Sequence, residues 1–238
     1  MIMRFVFVLI LSFAAFTALC QRNPVIVELF TSQGCSSCPA ADTNLKDIIN
    51  EAESAGLPVY GLSFHVDYWN YIGWKDPYSN KEFTRRQRTY AQQLGLQTIY
   101  TPQMIVNGNE EFVGSNREEA KKVIGKSLAM PVAFNIEITA IRRTSSALQI
   151  EYLLNTEPIS ESLNVALVDR TVQNFVPRGE NGGRTLEHTN VVVHFQTVPV
   201  RPRGVVVVPN ASAKSGQMVV LFISDATGHV RGAIGRVL

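Results

Sequence analysis

Cysteine is scarce in this chain: three of 238 residues, with Cys35 and Cys38 only three positions apart. A loop that small restrains little chain when closed, so the pair does not make a disulfide scaffold. Neither sign of charge is in excess. The 22 Lys and Arg against 20 Asp and Glu give a formal net charge of +2, too balanced for a dedicated nucleic-acid binder. Past the first twenty positions no apolar run approaches the ~20 residues of a membrane-spanning helix. Internal repeats and low-complexity tracts are missing, and the glycines over 177–190 lack the Lys-Ser/Thr of a phosphate loop, so nucleotide binding there is not expected. The rest is ordinary: 45% hydrophobic and 18% charged residues describe a folded globular chain, long enough for one large domain or two small ones.

The N-terminus is set apart. Arg4 precedes an apolar run over 5–16, then Thr17-Ala18-Leu19-Cys20-Gln21. A basic start, a short apolar middle and small residues before Gln21 read as a secretory signal peptide, with Ala18 and Cys20 at the cleavage positions. Lipidation of Cys20 is the rival, and bulky Leu19 fits it poorly. Cleavage leaves two cysteines in a chain exported to a periplasmic or extracellular space, without a transmembrane segment.

Residues 25–30 form a short β-branched apolar run that reads as a buried strand before the turn Thr31-Ser32-Gln33-Gly34. Over 36–53, Ala41, Leu45, Ile48, Ile49 and Ala52 recur at helical spacing, and Gly56-Leu57-Pro58 ends the pattern. A second strand is expected over 59–64, then a loop over 65–78 rich in aromatics. A helix over 80–94 follows, with Arg85, Arg86 and Arg88 read as a solvated face. Next come a strand over 103–106, the hairpin signal Asn107-Gly108, a strand near 112–113, and a helix to about 128 with Ser115 as its cap. After Met130-Pro131 the period changes from 3.6 to 2. Alternating runs at 133–141, 148–154, 163–168, 191–198, 205–208, 218–224 and 230–237 read as a β-sandwich, interrupted by a long polar loop over 177–190. That loop is long enough for a role between the two halves.

Cys35 and Cys38 stand between the first strand and the first helix. Free backbone N–H groups and the macrodipole at a helix start favour negative charge, so Cys35 should ionise more readily than an ordinary thiol. Its thiolate would attack, and Cys38 would resolve the mixed disulfide. Pro39 fits the first turn, where no N–H is needed from it.

A strand–CxxC–helix half followed by Thr101-Pro102 and a strand–turn–strand–helix half resembles thioredoxin. The segments 27–39, Phe64-His65-Val66-Asp67-Tyr68-Trp69 and Tyr100-Thr101-Pro102-Gln103-Met104 are similar to the secreted thioredoxin-like family of domain of unknown function 1223. Its similarity extends from about Val25 to the C-terminus and includes Gly179-Glu180-Asn181-Gly182-Gly183-Arg184-Thr185-Leu186, with Ala40 where a second proline is expected. The resemblance implies a cis Thr101–Pro102 peptide facing the cysteines, with Thr101 pairing to an extended substrate. It gives an α/β thioredoxin-like domain over 21–130 followed by an all-β sandwich-like C-terminal domain over 131–238.

Three readings of the cysteines stand. In the first they are the redox-active dithiol of an oxidoreductase acting on protein or small thiol substrates, with no cofactor beyond the dithiol. In the second, Cys35, Cys38 and His65 hold copper or another metal. In the third the disulfide is inert and the fold is an adaptor. His65 is either an auxiliary base or ligand, or a hydrogen-bonded structural residue. Asp67 is an auxiliary or a turn cap. Trp69 and Trp74, with Tyr68 and Tyr71, either wall a substrate groove or pack their loop. Asn210-Ala211-Ser212 is a glycosylation sequon.

Overall fold

The computed structural model describes residues 22–209 and 216–238; the expected signal segment over 1–20 and the sequon at Asn210 lie outside them. The first half runs β1 (Val25–Thr31), α1 (Cys38–Ser54), β2 (Val59–His65), α2 (Lys81–Gln93), β3 (Gln103–Val106), β4 (Glu110–Val113) and α3 (Arg117–Leu128). This is the order expected from the sequence. The second half supplies β5 (Ile136–Arg143), β6 (Ala147–Leu154), β7 (Ser162–Val176), β8 (Arg184–Pro199), β9 (Arg203–Pro209), β10 (Gln217–Ser224) and β11 (Val230–Val237).

These strands make two sheets. Eight run β11-β10-β7-β8-β2-β1-β3-β4, and three run β5-β6-β9. Four strands of the second half therefore extend the sheet of the first. The join is narrow: β8 meets β2 in parallel with Ser63 opposite Val191, and the Asn190 side chain donates to the Gly61 carbonyl at 3.0 Å. Asn190 has φ 50°, a left-handed conformation that Asn tolerates better than most side chains.

Burial of both sheet faces explains the apolar runs. In β10, Val219, Leu221 and Ile223 pack with β5, β6 and β9 residues, while Met218, Val220 and Phe222 pack with Phe64, Phe83 and Tyr90. A strand covered on both sides loses its polar alternation. In β1, Val25, Val27 and Leu29 face α1 and α3, and Ile26 and Phe30 face α2. The β3–β4 turn holds Asn107 and Gly108 at φ 49° and 74°. Val106 pairs with Glu110, so the loop is three residues, Asn107 to Asn109. A Cβ on Gly108 would collide with the Gly228 carbonyl before β11, so this turn also docks the halves.

Three local expectations are corrected. Asn116, not Ser115, caps α3, its side chain accepting from Glu119 N–H at 3.2 Å. Residues 177–190 are not one loop: β7 and β8 pair from Ser162 opposite Pro199 to Val176 opposite Arg184, with one register shift between Leu167 and Val168, leaving a turn over 177–183. The three arginines of α2 do not share a solvated face, because Arg86 makes two bonds to buried Glu28, at 2.6 and 2.7 Å.

Candidate functional site

The carboxyl ends of β1 and β2 meet the start of α1. Cys35 and Cys38 form a disulfide there, with Cα atoms 5.4 Å apart. Cys38 is the first residue of α1, Ser37 is its N-cap without a side-chain capping bond, and Pro39 lies in the first turn. The Ser37 hydroxyl sits 3.4 Å from Cys35 Sγ, which as a disulfide sulfur can only accept. Both cysteines are buried, Cys35 being 1% exposed and Cys38 fully enclosed.

Thr101–Pro102 is a cis peptide, as the resemblance implies. The register of β1 on β3 puts Phe30 opposite Gln103. Pro102 therefore lies beside the end of β1, at the entry to the cysteine loop. The Trp69 indole N–H donates to Thr101 Oγ1 at 2.8 Å, and the Trp74 indole donates to Gln33 Oε1 at 3.3 Å. Both indoles are thus anchored by polar bonds, and Trp69 lies against Gly34, where a Cβ would come within 3.1 Å of its own. Tyr71 is exposed and Tyr68 bonds Gln87. Asp67 is taken up by Thr84 of α2, whose hydroxyl donates to it at 2.5 Å, and is not drawn to the cysteines.

His65 is fully buried, and Thr31 is its register partner. Its Nδ1 is 2.7 Å from Asp76 Oδ2, which also accepts from Gln33 N–H at 2.8 Å. Burial works against the ionised form of Asp76, but His65 and the N–H groups of Gln33 and Tyr78 hold its carboxyl below the usual range. The His65 ring stands edge-on to His188 of β8, with centroids 4.6 Å apart. His188 Nδ1 is 3.4 Å from Asp42 Oδ2, ion-pair range but too long for a hydrogen bond of good geometry. Burial lowers the pKa of His188, yet the Asp42 carboxylate, with Asp76 and Glu187 beyond, outweighs it and raises the value above ordinary. Asp42 follows Cys38 by four residues, on the same face of α1. Among the described residues no three His, Cys, Asp or Glu side chains are grouped to hold a metal ion, so Cys35, Cys38 and His65 do not form such a set.

Sequence reasoning gave the segment over 177–190 a role between the two halves but did not foresee that its turn over 177–183 reaches the cysteine loop. Glu180 Oε2 accepts from Ser36 N–H at 2.8 Å. Asn181 Nδ2 donates to the carbonyls of Gln33 and Cys35 at 3.0 and 2.9 Å. Asp42, Asp76 and His188 were missed as well. The available signals were the i, i+4 spacing of Asp42 from Cys38 and the cluster of polar residues around Glu180.

Comparison with known proteins agrees with this geometry. Residues 26–224 match the family described as "Protein of unknown function (DUF1223)", and the chain belongs to that family. A thioredoxin of Methanocaldococcus jannaschii is 29% identical over 98 residues, 41% of this chain and 88% of that protein. The crystal structure of protein AGR_C_4864 from Agrobacterium tumefaciens superposes with a TM-score of 0.64 at 29% identity, covering 90% of this chain and 93% of that one. HBP35 of Porphyromonas gingivalis shares the fold, with a TM-score of 0.61 at 14% identity over 91% of this chain and 76% of that one. No helix among the described residues is long and apolar enough to cross a membrane.

Proposed function

We propose that this member of the DUF1223 family is an exported thiol–disulfide oxidoreductase acting on cysteine thiols or disulfides of proteins or small molecules. The observation that carries the reading is the Cys35–Cys38 disulfide at the β1–α1 junction, beside the cis Thr101–Pro102 peptide. In the reducing direction the Cys35 thiolate attacks a client disulfide, and the client's leaving sulfur departs with the electron pair. Cys38 loses its proton and attacks Cys35 Sγ; the disulfide re-forms and the second client thiolate leaves. In the oxidising direction a client thiolate attacks Cys35 and the steps reverse. Asp42, one turn along α1 from Cys38, would take and return that proton. The Thr101 backbone, just ahead of β3, would pair with an extended client.

The test is trapping. Cys35→Ala should abolish exchange, and Cys38→Ala should accumulate a client–Cys35 mixed disulfide, seen as a mass shift lost on reduction. Absence of any trapped species in Cys38→Ala, with the variant folded, would overturn the reading. Export predicts a mature chain in the cell envelope or medium that begins at Gln21, which N-terminal sequencing reads directly.

A further inference from the structure

Thiol exchange requires an attacking sulfur to reach Cys35 in line with the disulfide, yet Cys35 is only 1% exposed. Two segments pack against the loop that carries it. Ile72 of the aromatic loop lies between two glycines: a Cβ on Gly34 would meet its Cδ1 at 3.0 Å, and one on Gly179 of the β7–β8 turn would meet it at 2.9 Å. Asn181 of the same turn is fully buried. Arg184 donates to its Oδ1 at 2.7 Å, which turns the amide so that Nδ2 spans the Gln33 and Cys35 carbonyls. Asn174, on β7, adds a bond to Gln33 Oε1 at 3.0 Å. The turn is bolted to the backbone on both sides of Gly34.

Glu180 adds a charge. Its carboxylate takes the Ser36 N–H, one of the donors just ahead of α1 that would otherwise face a Cys35 thiolate. The two anions compete for one donor. While the cysteines are joined there is no second charge, and Glu180 stays docked; a thiolate at Cys35 repels it.

We propose that Glu180 and Asn181 are positioning residues that make the β7–β8 turn a redox-coupled gate. It is docked over the disulfide and displaced when Cys35 carries a thiolate. Because docking favours the disulfide form, linkage requires that it also lower the reduction potential of the pair. This rests on the reading of Cys35–Cys38 as an exchanging pair, but the gate is measurable without a client.

The experiment is reduction of the purified full chain by dithiothreitol. One dithiothreitol thiolate attacks Cys35 Sγ, the electron pair leaves on Cys38 Sγ and takes a proton, and the second dithiothreitol thiol closes its ring to release Cys35. The chain gains two electrons and dithiothreitol loses two. Asn181→Ala should raise the second-order rate at least tenfold. Glu180→Gln, which keeps an acceptor for Ser36 N–H and removes only the charge, should also raise it. It should shift the dithiol/disulfide equilibrium about tenfold toward the dithiol, about 30 mV for a two-electron couple. Lys46→Met, on exposed α1 surface beside the same hairpin, should leave rate and potential unchanged. Wild-type rates in both turn variants, or an unmoved potential in Glu180→Gln, overturn the proposal. Were Cys38→Ala to trap no client while the turn variants behaved as stated, the oxidoreductase reading would fall and the gate would stand.

Discussion

On the α2 side of β1, Glu28 is buried and its bonding is filled. Arg86 reaches it with two nitrogens and Tyr90 Oη donates at 2.6 Å, while the guanidinium lies 4.4 Å from the Phe195 ring centroid. On the α1 side, under the cysteines, the polar groups are as deeply buried but only partly paired. Thr31 Oγ1, both Asp42 oxygens, Ser63 Oγ, His65 Nε2 and both His188 nitrogens have no hydrogen-bond partner among the described residues. Each such group costs about 1–3 kcal/mol, and folded proteins concentrate such costs at working sites. The first cluster is a structural tie between α2 and the sheet. The second leaves buried donors and acceptors unpaired beside the cysteine loop.

The comparison breaks most visibly at Glu28. Glu28→Gln leaves a mostly buried guanidinium without its counter-charge, which should cost about 3–5 kcal/mol, read from urea denaturation. The folded fraction should exchange thiols at the wild-type rate. Replacing both partners by apolar residues, Glu28→Leu with Arg86→Met, should recover most of the loss. A single variant that lost under ~1 kcal/mol would put the pair among ordinary surface bridges and erase the contrast.

Asp42→Asn probes the other side and should cost less, about 1–3 kcal/mol, in a pH-dependent way. The pKa of His188 is raised in the folded chain. Its contribution is therefore fully present below the unfolded value, about 6.5, and fades as pH rises through the folded one. Asp76 is lowered, so its contribution is present above the ordinary carboxylate value and is lost as pH falls through the folded one. Wild-type stability should decline on both limbs. Asp42→Asn should flatten the alkaline limb, as denaturation midpoints from pH 6 to 9 would show. An unchanged alkaline limb would mean that Asp42 does not govern His188.

What the sequence revealed follows from how local each signal is. The cysteine site was legible because strand, turn, CxxC and helix start are contiguous, and helix-start electrostatics act within one turn. The expected helix over 80–94 fell within a residue of α2 at each end, since Asn80 caps it through its own side chain. Arg86 was misread because three arginines in four positions look like a wet face, and its partner lies 58 residues upstream. The clue was Glu28 itself, a charge inside an otherwise apolar strand, which has to be paired if buried. The first part of β8 was taken for loop because two of its three buried positions, His188 and Asn190, are polar and hide the alternation. Its strand character comes from pairing with β7, a contact that no short window contains.

The smallest expected effect concerns a surface contact between β8 and α1. Lys46 of α1 and Glu187 of β8 form an ion pair whose side chains are 46% and 33% exposed. Solvent and salt screen such a pair, and two long side chains must be ordered to make it, so Lys46→Met should change stability by only ~0–1 kcal/mol. The difference should shrink further in 1 M salt. The buried bonds of Asn181 and the bridge from Asn190 to Gly61 have no such competitor. Asn190→Ala removes a bond from an interior carbonyl and takes Asn out of its left-handed conformation, and should destabilise more than Lys46→Met in the same denaturation series. Should the order come out reversed, the β8–α1 contact would be electrostatic at its surface, and the second cluster would owe its burial to Lys46 and Glu187 more than to the sheet join at Ser63 and Val191.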